Sequence, residues 1–170
     1  MNVVEPLKPP DSFAYAAAEG WFELGCAVDA EAELEQLSPE SQGHPAVLDL
    51  RWQLCAEKGD WDRGVEMAAR LREALPQNPG GWLHHAYALR RASGGGLEAA
   101  WADLHPALEK FPDNSMVSYN LACYACQLNQ LDKARDLLRR AMSGPEREKF
   151  KTMALRDSDL EALRKEIENL

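Results

Sequence analysis

The sequence predicts an all-α fold built from repeated helical hairpins, and three observations carry that prediction. Among its 170 residues alanine, leucine, glutamate and arginine dominate while β-branched residues are scarce, a balance that favours helix over strand. Small and apolar residues recur at a fixed interval. Ala30, Gly64, Ala100 and Ala134 lie 34, 36 and 34 residues apart, and two further columns, Leu34–Ala68–Leu104–Leu138 and Leu37–Leu71–Ala107–Ala141, take the same steps. An upstream pair, Ala18–Trp52–Ala86–Ala122 and Trp21–Cys55–Leu89–Ala125, steps by 34, 34 and 36. The two extra residues therefore fall between the upstream and downstream sets of the third unit, in the glycine-rich stretch Ala92–Leu97, where lengthening a loop costs little.

The elements follow in chain order. Residues 1–11 are expected to be irregular. A first hairpin spans about 12–39, turns at Leu24–Gly25–Cys26 and stops at Pro39. A second spans 45–76, turning at Lys58–Gly59–Asp60 and stopping at Pro76; a third spans 80–112, turning at Gly94–Gly96 and stopping at Pro112. The fourth, 114–142, reads as helices over Asn114–Leu128 and Leu131–Met142 around a turn at Leu128–Gln130, with Pro145 beyond. Glycine or asparagine at each turn supplies the left-handed conformation that ends a helix. Proline cannot continue a helix but tolerates its first turn, so it separates the units. Residues 143–170 are expected to form capping helices, because an end repeat otherwise leaves an apolar face in water. Ser158–Glu161 is a capping-box pattern, which places a last helix over Ser158–Asn169.

A helix–turn–helix unit of 34 residues with an early aromatic, a small mid-helix residue, a turn glycine and a closing proline resembles the tetratricopeptide repeat. Trp82, Ala86, Ala100 and Pro112 carry the pattern in the third unit. The fourth has Leu121, Ala122, Ala134, Leu138 and Ala141, with Asn129 for the turn glycine; the second has Gly59, Trp61, Ala68 and Pro76, but Trp52 where a small residue is usual. The first has Ala18, Trp21, Gly25 and Ala30 and ends early at Pro39. The resemblance covers Asp11 to Met142. It implies a right-handed α-solenoid of about four such hairpins with a concave groove lined by the first helices. The small columns let paired helices approach closely, and Leu34, Leu71, Leu104 and Leu138 fill the seams.

Charge narrows the function. The net charge is −9; residues 1–60 hold 12 acids and 3 bases, while residues 61–170 hold 16 of each. An acidic chain with no basic block argues against nucleic acid. The acidic third is a solubilising surface or, on a sharper reading, an attraction for basic partners. No apolar run approaches the length of a membrane span. The start lacks the pattern of a signal peptide, and four cysteines are too few for a secreted disulfide scaffold, so a cytoplasmic location is expected. Ser93–Gly96 lacks the strand and the lysine–serine of a phosphate loop. No nucleophile has a histidine and an acid in a recognisable arrangement. The chain is thus expected not to be an enzyme, and no cofactor is expected.

The family's groove positions carry over to Tyr15, Glu19 and Phe22 in the first unit and to Asp49, Gln53 and Glu57 in the second. The third supplies Leu83, His84, Tyr87, Arg90 and Arg91, and the fourth Tyr119, Asn120, Cys123 and Gln127. For any one of them the plainer reading is a solvated helix face. Together they imply a groove acidic at its N-terminal end and cationic around Arg90 and Arg91, with tyrosine and arginine as anchors for a peptide or protein segment. Cys123 and Cys126 form a CxxC in mid-helix, away from the N-terminal dipole that activates a redox thiol, so they read as small, semi-exposed groove residues. A Cys2His2 zinc cluster with His84 and His85 is weak, because adjacent histidines diverge by about 100° on a helix. Asn120 matches one position of the family's carboxylate clamp, but Leu83 and Tyr87 stand where its lysine and asparagine belong, so a chaperone-tail receptor is not expected. The leading reading is a non-catalytic adaptor that binds a protein segment of unknown identity. A secretion chaperone for a translocator protein, and a thiol redox or metal protein using Cys123 and Cys126, are the alternatives. The oligomeric state is open.

Overall fold

The computed structural model describes residues 4–169. Residues 1–3 of the expected irregular segment and residue 170 of the expected cap lie outside them. The chain divides into two compact units, Met1–Ala88 and Leu89–Leu170. Among the described residues the regular structure is all helical.

The first unit contains α1 (Asp11–Glu23), α2 (Ala27–Glu35), a 3-10 turn (Ser41–Gly43), α3 (Pro45–Lys58), α4 (Trp61–Ala74) and α5 (Pro79–Leu89), the last belonging to it as far as Ala88. α1 packs on α2 and α3 on α4 as sequential pairs. Ala18, Ala30, Leu34, Leu37, Val47, Leu50 and Leu54 make one core cluster, so α3 lies against the first hairpin; Leu48, Cys55, Met67 and Leu71 make another inside the second. Asp11 is buried at the start of α1 and accepts hydrogen bonds from the Ser38 backbone N–H and hydroxyl, tying the two ends of this hairpin together.

The second unit contains α6 (Leu97–Leu104), α7 (Ala107–Lys110), α8 (Ser115–Gln127), α9 (Leu131–Ala141), α10 (Arg147–Arg156), a 3-10 segment (Ser158–Leu163) and α11 (Arg164–Glu168). Pro106, which has no N–H and clashes with the preceding turn, separates α6 from α7. α8 pairs with α9, α6 lies against α8, and the 3-10 segment lies across α8. Phe150, Ala154, Leu160, Leu163 and Ile167 are at most 1 % exposed, which makes the tail a folded part of this unit's core.

Each hairpin turn closes on one repeat column. Cys26 N–H donates to Trp21 O (2.9 Å), Asp60 N–H to Cys55 O (2.9 Å) and Gln130 N–H to Ala125 O (2.8 Å). Gly25, Gly59 and Asn129 supply the positive φ those turns need, 74°, 71° and 57°. In the third unit the closing bond runs from Gly96 N–H to Leu89 O at 3.0 Å. The bond spans two more residues than in the other turns, so the insertion seen in the spacing is accommodated there.

Two departures from expectation have physical causes. The helix expected over Ser158–Asn169 is a 3-10 segment followed by the short α11, and its cap is Asp157, whose carboxylate accepts from Asp159 N–H at 2.9 Å. A 3-10 turn stacks residues three apart, which sets Leu160 and Leu163 on one buried side. Trp52, out of pattern in its column, faces Gly64: a Cβ on Gly64 would lie 3.9 Å from Trp52 Nε1 and 3.4 Å from the Ala88 methyl. A larger residue in one helix is met by the smallest in the other.

Candidate functional site

In the first unit α1, α3 and α5 bring several predicted groove residues together. Asp49 accepts from Gln53 Nε2 at 2.8 Å and from His84 Nε2 at 2.9 Å. An ionised carboxylate only accepts, so the His84 proton sits on Nε2. The hydrogen bond from His84 is the largest cause holding the Asp49 carboxyl below its ordinary range. The His84 ring is stacked on Trp52, with centroids 3.7 Å apart and planes at 12°. Tyr87, 38 % exposed, packs edge-on against Trp52 at 6.1 Å and Trp61 at 5.8 Å. Tyr15 donates to Glu19 Oε1 at 2.8 Å. Burial pushes its phenol well up, with Glu19 and the Asp49 charge adding to the shift. Tyr15 and Phe22 both lie partly buried against the core; Leu83 is half-buried and Glu57 exposed. The result is an aromatic-walled face whose fixed charges are carboxylates.

The second unit treats its predicted groove residues differently: they hold the chain's own tail. Tyr119 donates to Asp157 Oδ2 at 2.8 Å, and Cys123 Sγ lies 3.5 Å from the same oxygen. Arg90 grips both carboxylate oxygens of Asp159, Nη2 to Oδ1 at 2.9 Å. Gln127 Nε2 donates to the Asp159 carbonyl at 3.0 Å. Asn120 turns back onto its own helix, donating to Met116 O at 3.0 Å. Arg90 and Arg91 follow the end of α5 at Leu89 instead of lying on it, because the chain leaves the helix to form the glycine turn. The covering of this face by Asp157–Asp159 was missed from sequence. The available signal was a pair of acids in the tail opposite an arginine 69 positions earlier.

The cysteines correct a second expectation. Cys123 and Cys126 are 4 % and 6 % exposed, not semi-exposed. Burial pushes both thiols up, and the Asp157 charge raises Cys123 further, which disfavours the thiolate that redox chemistry and metal binding need. Ligand atoms of Cys123, Asp157 and Asp159 lie within 4.8 Å of one another. Both carboxylates are already engaged, Asp159 by the Arg90 guanidinium and Asp157 by the Tyr119 hydroxyl and the Cys123 thiol. His84, the other half of the zinc reading, is engaged by Asp49 and Trp52.

A cleft of about 480 Å³ lies in the second unit at the start of α8, bounded by Asn114, Ser118, Arg140, Glu146, Lys149 and Phe150. Asn114 caps α8 by accepting from Val117 N–H, and Arg140 donates to the carbonyls of Leu108 and Pro112. These two polar side chains serve the fold. Among the described residues no helix is long and apolar enough to cross a membrane.

No protein-family model and no curated sequence matches the chain. The solved structure of TTC0263, a thermophilic TPR protein of Thermus thermophilus, is similar over 94 % of this chain and 100 % of its own, with a TM-score of 0.66 and 18 % identity. The all-helical architecture of sequential pairs is thus a tetratricopeptide-like fold.

Proposed function

We propose that this tetratricopeptide-like chain is a non-catalytic adaptor whose first unit binds a basic, extended segment of a partner protein on the face carrying Tyr15, Glu19, Asp49, Gln53, Leu83, His84 and Tyr87. The observation that carries the reading is Asp49: a carboxylate held ionised and oriented by Gln53 and by His84, whose ring is stacked on Trp52, itself edge-on to Tyr87. A lysine or arginine there gains a charge-assisted hydrogen bond and an aromatic face.

The second unit supplies an internal precedent for the mode of binding. Tyr119 occupies the same repeat position as Tyr15 and Asp49, and its hydroxyl donates to the side-chain carboxylate of Asp157 in the tail. Arginine takes the carboxylate and glutamine the main chain. In the first unit the Tyr119 position presents the carboxylate of Asp49. Arg90, Tyr119, Cys123 and Gln127 then serve to hold the tail, and Asn120 bonds its own helix.

Fluorescence anisotropy with labelled lysine/arginine-rich and glutamate-rich peptides tests the reading. Binding of the basic peptide alone, weakened about tenfold by Asp49→Asn and further by salt, is the expected result. Equal affinity for Asp49→Asn and the native chain would reject the site.

A further inference from the structure

The first hairpin has a second surface that the groove does not use. At 100° per residue, Phe13, Ala17 and Trp21 of α1 and Leu24, its C-cap residue, fall within about 80°, on the side away from Tyr15 and Glu19. Phe13 is 69 % exposed, Trp21 39 % and Leu24 73 %, a concentration of large apolar side chains in water that calls for a cover.

The repeat register says what kind of cover. Phe13 corresponds to Val47 in α3 and Val117 in α8, both 0 % exposed. Val47 is buried in the cluster with Ala18, Ala30 and Leu34, that is, against a neighbouring helical hairpin. Trp21 corresponds to Cys55 and Ala125, buried at 3 % and 0 %. The Phe13 position, which in α3 packs against a neighbouring hairpin, is open on α1.

Charge selects among the helices that would fit. Between Asp11 and Glu35 there are seven acids and no lysine, arginine or histidine. Asp11 is bound by Ser38, and Glu31 by Lys58 and Arg63. Glu23, Asp29 and Glu35 remain exposed to solvent. A second copy applied face to face would set two such acidic hairpins against each other, which is electrostatically unfavourable.

We infer that the Phe13–Trp21–Leu24 face of α1 is a docking surface for a basic amphipathic helix of a partner protein. The helix lays its apolar side on these three residues and directs its lysines or arginines toward the exposed acids of the same hairpin, Glu23, Asp29 and Glu35. This site is separate from the Asp49 face and stands or falls independently of it.

The test uses a labelled designed peptide of about 18 residues with leucine at i, i+3, i+4 and i+7 and lysine elsewhere. A peptide of the same composition in scrambled order and a leucine/glutamate version serve as controls. The expected result is saturable binding of the amphipathic basic peptide, weakened about tenfold or more by the double substitution Phe13→Ser, Leu24→Lys and unchanged by Asp49→Asn. Both substituted side chains are exposed, and Lys58 is the residue at the Leu24 position of the next unit, so the variant keeps its fold; circular dichroism confirms it. Equal affinity of the double variant, or equal binding of the scrambled peptide, overturns the proposal. So does loss of binding in Asp49→Asn, which would put the peptide on the other face. Sedimentation velocity supplies the remaining arm: a native dimer dissociated by the same double substitution would overturn the proposal by making the occupant a second copy.

Discussion

Asp49 shows how one side chain acquires its character from neighbours far away in sequence. His84, 35 positions on, donates to it and lowers its pKa, so its folded value lies below its unfolded one. The stabilisation linked to that shift is present above the ordinary carboxylate range and is lost as pH falls through the folded value. The melting-temperature difference between the native chain and Asp49→Asn is therefore expected to be greatest near neutrality and to shrink below about pH 4. A difference that does not change between about pH 7 and pH 3 would contradict this. The thiols give a second residue-scale expectation. Cys123 and Cys126, buried and pushed up, are expected to react with iodoacetamide far more slowly than the partly exposed Cys26. Mass spectrometry of the partly alkylated protein reads the order directly, and prompt labelling of Cys123 would contradict it.

At the scale of helices, two glycines predict opposite outcomes for one substitution. A Cβ on Gly81 would lie 2.7 Å from Arg72 N, a backbone atom that cannot swing aside. Gly81→Ala is expected to destabilise the first unit by about 1–3 kcal/mol through overpacking of α5 on α4. Gly64 has ordinary contact distances around its missing methyl, so Gly64→Ala is expected to gain a few tenths to about 1 kcal/mol of helix propensity. Gly64→Leu, pressed against Trp52 and Ala88, is expected to lose stability. Urea titration of the three variants against the native chain measures all of these. The helices themselves were legible because their signals are local. Gly25, Gly59 and Asn129 adopt the left-handed turns expected of them, and α8 and α9 end within a residue of the expected limits. The tail was less legible. Ser158–Glu161 fits a capping box by pattern, but burying Leu160 and Leu163 together prevailed over the local preference.

At the scale of each folding unit, the tail of the second is a structural part of it. Asp157 and Asp159 fasten it to Tyr119, Arg90 and Gln127, and Arg135 holds α11 through both oxygens of Glu166 (2.7 and 2.9 Å). Leu160→Ala is expected to cost about 2–5 kcal/mol and to raise amide exchange along α8 as well as in the tail. Exchange confined to the tail would mean that it is an appendage. The first unit, with its aromatic and acidic faces, is where partners are expected, and the two faces are separable by Asp49→Asn and by Phe13→Ser, Leu24→Lys.

The 34-residue columns, the turn residues and the charge difference between the two parts of the chain determined by themselves that this protein is a helical repeat with an acidic first hairpin. Each of these is written in adjacent residues or in a constant spacing, and helix periodicity converts spacing into a face without further information. Which predicted groove positions are filled was decided only by tertiary structure. Arg90 meets Asp159, and Tyr119 meets Asp157, across separations of 69 and 38 residues that follow no repeat. Such pairs form because the tail must bury Phe150, Leu160 and Leu163, and that apolar burial carries Asp157 and Asp159 onto α8, where Tyr119 and Gln127, together with Arg90 from the turn after Leu89, satisfy them.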